Sequence, residues 1–108
     1  MDIGTGTGAI AISLDLKLQH AQTTAFDVSN EALITAQLNN KELNAGVEFI
    51  FQDILNPTYQ GEKFELIVSN PPYVLNSEKH QMEPNVLDFE PHLALFVEDD
   101  NPLLFYNK

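Results

Sequence analysis

Three of the five glycines fall within the first eight residues, as Gly4, Gly6 and Gly8 of the run DIGTGTG, and nothing else in the chain restricts its fold as much. Glycines at alternate positions let a backbone turn tightly and approach a ligand with no Cβ in the way. The turn delivers the chain into Ala9 to Gln19, where Ile10, Leu14 and Leu18 share one face and Ile12 and Leu16 lie beside it. That spacing predicts a mostly buried helix. A strand stub, a glycine turn and a helix make the opening of an α/β unit, with the helix N-terminus aimed at whatever the loop holds.

The rest of the chain continues the alternation. Gln22 to Val28 is short, β-branched and aromatic, and reads as a strand. Ser29 is placed to cap a helix from Asn30 to about Asn40, with Glu31 in its first turn and Ala32, Leu33, Ala36 and Leu43 inward. Val47 to Gln52 and Phe64 to Ser69 read as two more strands. The continuous run Leu66-Ile67-Val68 predicts a strand covered on both faces. The order predicts an α/β, Rossmann-like domain with a mostly parallel sheet. Only Ile54 to Lys63, with Pro57 and Gly61, joins the last two strands, so a bare extended loop has to make the return. Five of the six prolines lie after Asn70. That stretch predicts a long ordered loop, a short helix near Ser77 to Met82, and a final helix opening at Asn101-Pro102.

Composition narrows the chemistry. The chain has 108 residues, no Cys, and 16 acidic against 5 basic side chains, for a formal charge of −11. One domain is the most that length holds. Without Cys there is neither a disulfide framework nor a thiolate metal site. His20, His80 and His92 have no metal-ligand spacing, so no metal is expected. No apolar run approaches the ~20 residues that span a bilayer, and no signal pattern opens the chain, so a soluble cytoplasmic protein is the default. Five Lys without Arg do not make a groove for a phosphate backbone.

Four features then share one topological address. The glycine loop follows the first strand, Asp27 closes the second, Asp53 the third and Asn70 the fourth. Open parallel sheets bind ligands outside the carboxyl ends of their strands. Gly4, Gly6, Gly8 and Ala9 also satisfy the G-x-G-x-x-A dinucleotide pattern, although a Gly-rich turn alone needs no ligand. Asp27, 19 residues after Gly8, is spaced to accept hydrogen bonds from a ribose diol; it would equally serve to start the second helix. Asp53 suits an exocyclic amine, with Ile54 packing a ring, or a plain turn before Asn56-Pro57.

Asn70-Pro71-Pro72-Tyr73 is the sharpest motif. The two prolines hold the run extended and remove two N–H donors. A rigid set of acceptors remains: the Asn70 side-chain carbonyl and the backbone carbonyls of Asn70 and Pro71, with the Tyr73 ring beside them. Such a set fits a planar NH₂ group, both of whose protons are accepted while its plane stacks on the ring.

Together DIGTGTG, Asp27, Asp53 and NPPY resemble class I methyltransferases that use S-adenosylmethionine and methylate amino or amide nitrogen. Glu78, the run Phe89 to Phe96 (FEPHLALF) and Tyr106 resemble more narrowly the HemK family, glutamine N5-methyltransferases of the GGQ loop of peptide chain release factors. The resemblance implies that Asp2, Gly4, Thr5, Gly6 and Gly8 hold the methionine portion of the cofactor, Asp27 and Val28 the ribose, and Asp53 with Ile54 the adenine. It implies that Asn70, Pro71, Pro72 and Tyr73 hold the substrate amide, with Asn70, Pro71 and Tyr73 carrying catalysis and Glu90 shaping the pocket wall. Residues 1–73 would form the cofactor half and 74–108 the substrate-side loop and the start of a further helix. Against that family the first strand is a stub, later strands are missing and the helical N-terminal domain is absent. A fragment is therefore expected, binding cofactor weakly, turning over little, and prone to self-association at its open sheet edge.

Three other readings stay open. An adenine or other nucleic-acid base methyltransferase needs the same acceptors but also a basic groove. A nicotinamide-binding domain uses the glycines and Asp27 but leaves NPPY without a purpose. A non-catalytic truncated domain is the third.

Overall fold

The predicted alternation forms as β1 (Asp2–Ile3), α1 (Ala9–Lys17), β2 (Thr24–Asp27), α2 (Asn30–Glu42), β3 (Glu48–Phe51) and β4 (Val68–Ser69), followed by β5 (Val74–Leu75) and β6 (Phe96–Val97). The computed structural model describes residues 1–61, 63–72, 74–75, 77–78, 96–100, 103 and 105–106. The chain divides into two units, Met1–Asn70 and Pro71–Lys108.

In the first unit four parallel strands lie in the order β3-β2-β1-β4. The register pairs Asp2 with Ala25 and Val68, and Ile3 with Phe26 and Ser69. Successive strand residues face opposite sides of a sheet. Ala25 and Phe49, paired across β2 and β3, therefore share one face with Asp2. That face carries the core of Ala11, Ile12, Ala25 and Val47, with Ala45 and Phe49 packed against it. Gly8 sits where α1, α2 and β3 meet, since a Cβ there would lie 3.1 Å from Ile12, Ala36 and Phe49 alike. Both helices thus cover the same side.

The chain returns to β4 on the other side. Phe26, one residue out of phase with Ala25, meets the Tyr59 ring in a tilted contact at 5.0 Å, and Tyr59 stacks at 5.9 Å on Phe64. Steps β1→β2→β3 run one way across the sheet and the return runs back, so right-handed crossings place the connector opposite the helices. The bare loop does make the parallel return, held by an aromatic pair in place of a helix. A Cβ on Gly61 would collide with the far end of the Tyr59 ring, which would have to move.

Several boundaries and faces differ from expectation. Ser29 caps α2 as predicted, accepting from Ala32 N at 3.2 Å, with Glu31 in the first turn. Leu33 and Ala36 are buried but Leu43 is 55% exposed, because the helix ends there and Asn44 turns the chain away with φ 53. In α1 the buried residues are Ala11 and Ile12, whereas Ile10, Leu16 and Leu18 are exposed. A small residue lets a helix backbone sit close on a sheet, so Ala11 takes the inner position over its larger neighbours. Leu66 and Ile67 were expected inside a doubly covered strand; they are 52% and 55% exposed, and only Val68 and Ser69 pair. The register with β1 runs out at Met1, whose carbonyl accepts from Val68 N at 2.9 Å.

In the second unit β5 and β6 pair in parallel, Val74 with Phe96 and Leu75 with Val97, a pair the sequence reading did not contain. Of the helix expected near Ser77, only Ser77 and Glu78 are described, as a 3₁₀ turn; Ser77 N donates to Asp99 Oδ1 at 2.9 Å. Asn101 and Pro102 lie outside the described residues. Leu103, Phe105 and Tyr106 form a turn closed by Tyr106 N donating to Leu103 O at 3.0 Å, and Leu103 and Tyr106 are exposed. Among the described residues no helix is long and apolar enough to cross a membrane.

Candidate functional site

Between β1 and β4 the direction of the chain across the sheet reverses, which is the switch point where open α/β sheets form a crevice at the strand carboxyl ends. Gly4 leaves β1 there and Asn70 leaves β4, each one residue beyond the pair Ile3 and Ser69. Neighbouring strands lie about 4.8 Å apart, so the glycine loop and Asn70 emerge side by side. Ser69 Oγ donates to Ile3 O at 2.9 Å and ties the two ends together, and Asn70 is exposed.

The glycine loop is held almost atom by atom. Gly4, Gly6 and Gly8 have φ of 71, 56 and 80, a region that L side chains avoid. Gly4 N and Thr5 N both donate to Phe26 O, at 2.9 and 3.0 Å, and Gly8 N donates to Thr5 O at 3.0 Å. A Cβ on Gly4 or Gly6 would meet nothing within 4 Å, so open space lies over both. The loop ends on α1, whose first turn has neither a side-chain cap nor an acidic residue. A helix start of this kind favours an anion, and its Ala11 amide already faces the Asp2 carboxyl. Ser29 and Glu31 fill the same positions on α2.

Asp27 closes β2 against this loop. Its Oδ2 accepts from Gly6 N at 2.7 Å and its Oδ1 from Ser29 N at 2.9 Å. A carboxylate has roughly four acceptor positions, so acceptor capacity remains on both oxygens. Val28, next along the chain, is exposed. Beneath the loop lies Asp2, 1% exposed, with Oδ2 accepting from the Thr5 hydroxyl at 2.7 Å. Its Oδ1 is buried with no hydrogen-bond partner among the described residues. Burial pushes this carboxyl above the ordinary carboxylate value, aided by the nearby negative charge of Asp27; the Thr5 hydroxyl, the Ala11 amide and the Met1 ammonium oppose the shift.

Asp53 follows β3 and organises its own turn: Oδ1 accepts from Leu55 N and Oδ2 from Asn56 Nδ2, both at 2.9 Å. Gln52, buried and absent from the sequence argument, braces this turn. Its Nε2 donates to Asp53 O at 3.0 Å and its Oε1 accepts from the Thr58 hydroxyl at 3.2 Å. A glutamine ending an apolar strand was the available signal. Ile54 follows Asp53, half-buried. Pro71 and Pro72 open the second unit. Tyr73 and Glu90 lie outside the described residues.

The structure therefore brings Asp2, Gly4, Thr5, Gly6, Gly8 and Asp27 into one hydrogen-bonded group, sets Asn70 at the neighbouring strand end, and leaves Asp53 two strands from β1. A hollow of about 540 Å³ beside Thr23, Thr24 and Glu48 lies at the opposite, amino ends of β2 and β3. It shares none of these groups.

Comparison with known proteins agrees with this geometry. Residues 1–88 match the family model of the methyltransferase small domain. A release factor glutamine methyltransferase of Bacteroides thetaiotaomicron is 55% identical over 109 residues, covering 100% of this chain and 39% of the relative. One from Flavobacterium psychrophilum is 53% identical over 108 residues, again 100% of this chain and 38% of the relative. The chain thus spans about two-fifths of the length of these relatives. The crystal structure of a S-adenosylmethionine-dependent methyltransferase from Clostridium acetobutylicum superposes with a TM-score of 0.56 and 27% identity, over 72% of this chain and 28% of that one. A sheet that reverses at its glycine loop, with an acid at the end of the second strand, accords with that match, and the chain belongs to the methyltransferase small domain family.

Proposed function

We propose that these residues form the cofactor site and part of the substrate site of an S-adenosylmethionine-dependent methyltransferase. Its substrate is the side-chain amide of the glutamine in the GGQ loop of a peptide chain release factor, a cytoplasmic protein, and not a nucleic acid. The observation that carries the reading is the register of Ile3 with Ser69, which sets Gly4 and Asn70 at adjoining strand ends at the switch point.

The chain's groups fit such a cofactor. Open space over Gly4 and Gly6 is what a ligand lying on the loop would use. Asp2, Gly4, Thr5, Gly6 and Gly8 would hold its amino-acid portion, with the start of α1 facing its carboxylate. Asp27, beside Val28, would accept from ribose hydroxyls, and Asp53 with Ile54 would take the adenine. When bound, S-adenosylmethionine supplies an electrophilic methyl group on a sulfonium centre. The carboxylates of Asp2, Asp27 and Asp53 favour a cationic ligand.

Asn70 and Pro71 do the remaining work. An amide nitrogen is a poor nucleophile because its lone pair is delocalised. Carbonyls that accept both of its protons fix the NH₂ group and stabilise positive charge as it develops on nitrogen. Pro71 and Pro72 restrict rotation of those carbonyls. The family resemblance implies that Tyr73 and Glu90 also belong to the substrate side.

The test is methyl transfer to a GGQ-containing release factor, read by mass spectrometry as one added methyl on the glutamine. It is run on this chain and on a chimera in which this chain replaces the matching residues of the Bacteroides thetaiotaomicron relative. Methylation by the chimera that disappears with Asn70→Ala supports the reading. A chimera that binds S-adenosylmethionine yet methylates adenine in DNA, or nothing, overturns it.

A further inference from the structure

α2 carries two adjacent asparagines with different duties. Asn40 closes its own helix onto the next strand: Nδ2 donates to Val47 O and Oδ1 accepts from Val47 N, both at 3.2 Å. Asn39 reaches 32 residues back and donates from Nδ2 to Thr7 O at 3.0 Å. Thr7 stands between Gly6 and Gly8, and its carbonyl belongs to the same peptide plane as the Gly8 N–H. That N–H donates to Thr5 O at 3.0 Å. Asn39 therefore pins one end of a peptide whose other end the loop pins itself.

Glycine makes this bond consequential. Residues with no Cβ lose more conformational freedom on ordering than any others. A loop with three of them in five positions holds one shape only if outside groups fix its peptide planes. Asp27 fixes Gly6, Phe26 O fixes Gly4 and Thr5, and packing against Ile12, Ala36 and Phe49 fixes Gly8. The Thr7 carbonyl has Asn39. Asn39 stands one helical turn after Ala36, so the same stretch of α2 packs on Gly8 and bonds Thr7.

We propose that Asn39 is a positioning residue for cofactor binding: through Thr7 it holds the glycine loop in its ligand-ready shape. The proposal rests on the reading of that loop as the cofactor site, and the bracing has a readout that needs no cofactor.

Asn39→Ala removes the donor, Asn39→Asp keeps the shape but turns an acceptor toward the Thr7 carbonyl, and Asn39→Gln retains a donor. Asn40→Ala is the control, perturbing α2 without touching the loop. Hydrogen exchange on the ligand-free full chain is expected to speed at the Gly8 amide in the first two variants by about five- to tenfold, as loss of one modest hydrogen bond implies. The β2 and β3 amides should be unchanged. Calorimetry with S-adenosylmethionine should show weakening of similar size in Asn39→Ala and Asn39→Asp, and smaller in Asn39→Gln and Asn40→Ala. Unchanged exchange at Gly8, exchange raised equally across the sheet, or equal cofactor affinity in Asn39→Ala and the wild type would each overturn the proposal. Faster exchange at Gly8 in a chain whose wild type binds no S-adenosylmethionine would leave the bracing intact and remove the cofactor reading instead.

Discussion

Alanine at Gly8 and alanine at Gly6 separate what holds the loop from what the loop is for. Both positions have positive φ, 80 and 56, so each substitution carries the left-handed penalty of about 1–2 kcal/mol. They differ in surroundings. A Cβ on Gly8 would lie 3.1 Å from Ala36 Cβ, Ile12 Cδ1 and Phe49 Cζ, whereas one on Gly6 would meet nothing within 4 Å. None of the three neighbours can yield freely, since Ile12 and Ala36 are buried on different helices and Phe49 is fixed in β3. Overpacking of that kind costs about 1–3 kcal/mol, for a total near 2–5 kcal/mol at Gly8. Domains of this size have only about 5–15 kcal/mol to lose. With a urea m-value of about 1–2 kcal/mol/M, Gly8→Ala should lower the midpoint by roughly 1–5 M and Gly6→Ala by about a quarter to two-thirds as much. For S-adenosylmethionine affinity the order reverses in any Gly8 variant that remains folded, because the Gly6 methyl enters the open space over the loop. Equal midpoint shifts for the two variants would refute the packing argument. Unchanged cofactor affinity in Gly6→Ala would refute the functional one.

Three further outcomes follow from other contacts. Asp2 has a raised pKa in the folded chain, so the folded state holds that proton more tightly than the unfolded one. Its favourable contribution is full below the ordinary carboxylate value and is lost as pH rises through the raised one; urea midpoints should therefore fall in the wild type, relative to Asp2→Asn, as pH rises above the ordinary carboxylate value. Parallel pH profiles for the two chains would contradict this. Gly61→Ala should push the Tyr59 ring off Phe26 and Phe64, costing about 1–2 kcal/mol and reducing the near-UV tyrosine signal, as Tyr59→Leu should also do; an undiminished signal would show that the ring is not held there. Ser69→Ala removes the tie from β4 to Ile3 O and should cost about 0.5–1.5 kcal/mol while weakening substrate turnover in the chimera more than cofactor affinity. Equal losses in both would place its effect on the whole sheet rather than on Asn70.

The sequence was most legible where one residue type has one job. Ser29 capped α2 because a serine oxygen before a helix finds a free N–H, and the strand–helix alternation gave a parallel sheet because no short link joins such strands otherwise. Periodicity was less informative in α1, which is apolar nearly all round. Hydropathy ranks Leu14 and Leu18 above Ala11, but close packing on a sheet selects the small residue. The extent of β4 was illegible for a different reason: hydropathy marks an apolar run, but only Val68 and Ser69 of it pair with a neighbouring strand. Gln52, Asn39 and Asn40 escaped notice because polar side chains that bond to distant backbone leave no periodic trace. Their partners are set by the fold.

Asp27 shows why two roles that looked like alternatives in sequence need not compete. Capping and ligand binding each call for a carboxylate at the end of β2, and the observed contacts are both structural: Gly6 N on one oxygen, Ser29 N on the other. Yet each bond occupies one lone pair of two. By engaging both oxygens with backbone donors on either side, the protein fixes the plane of the carboxylate, and the lone pairs left over then have fixed directions. A carboxylate tied at one oxygen only would rotate about Cβ–Cγ, and a diol would have to order it at an entropic cost on binding. In the proposed cofactor site these structural bonds would thereby serve binding as well. They also make the glycine loop and the start of α2 move together, since both hang on the same side chain, so the loop cannot change shape without disturbing the helix whose Asn39 braces it from the other side.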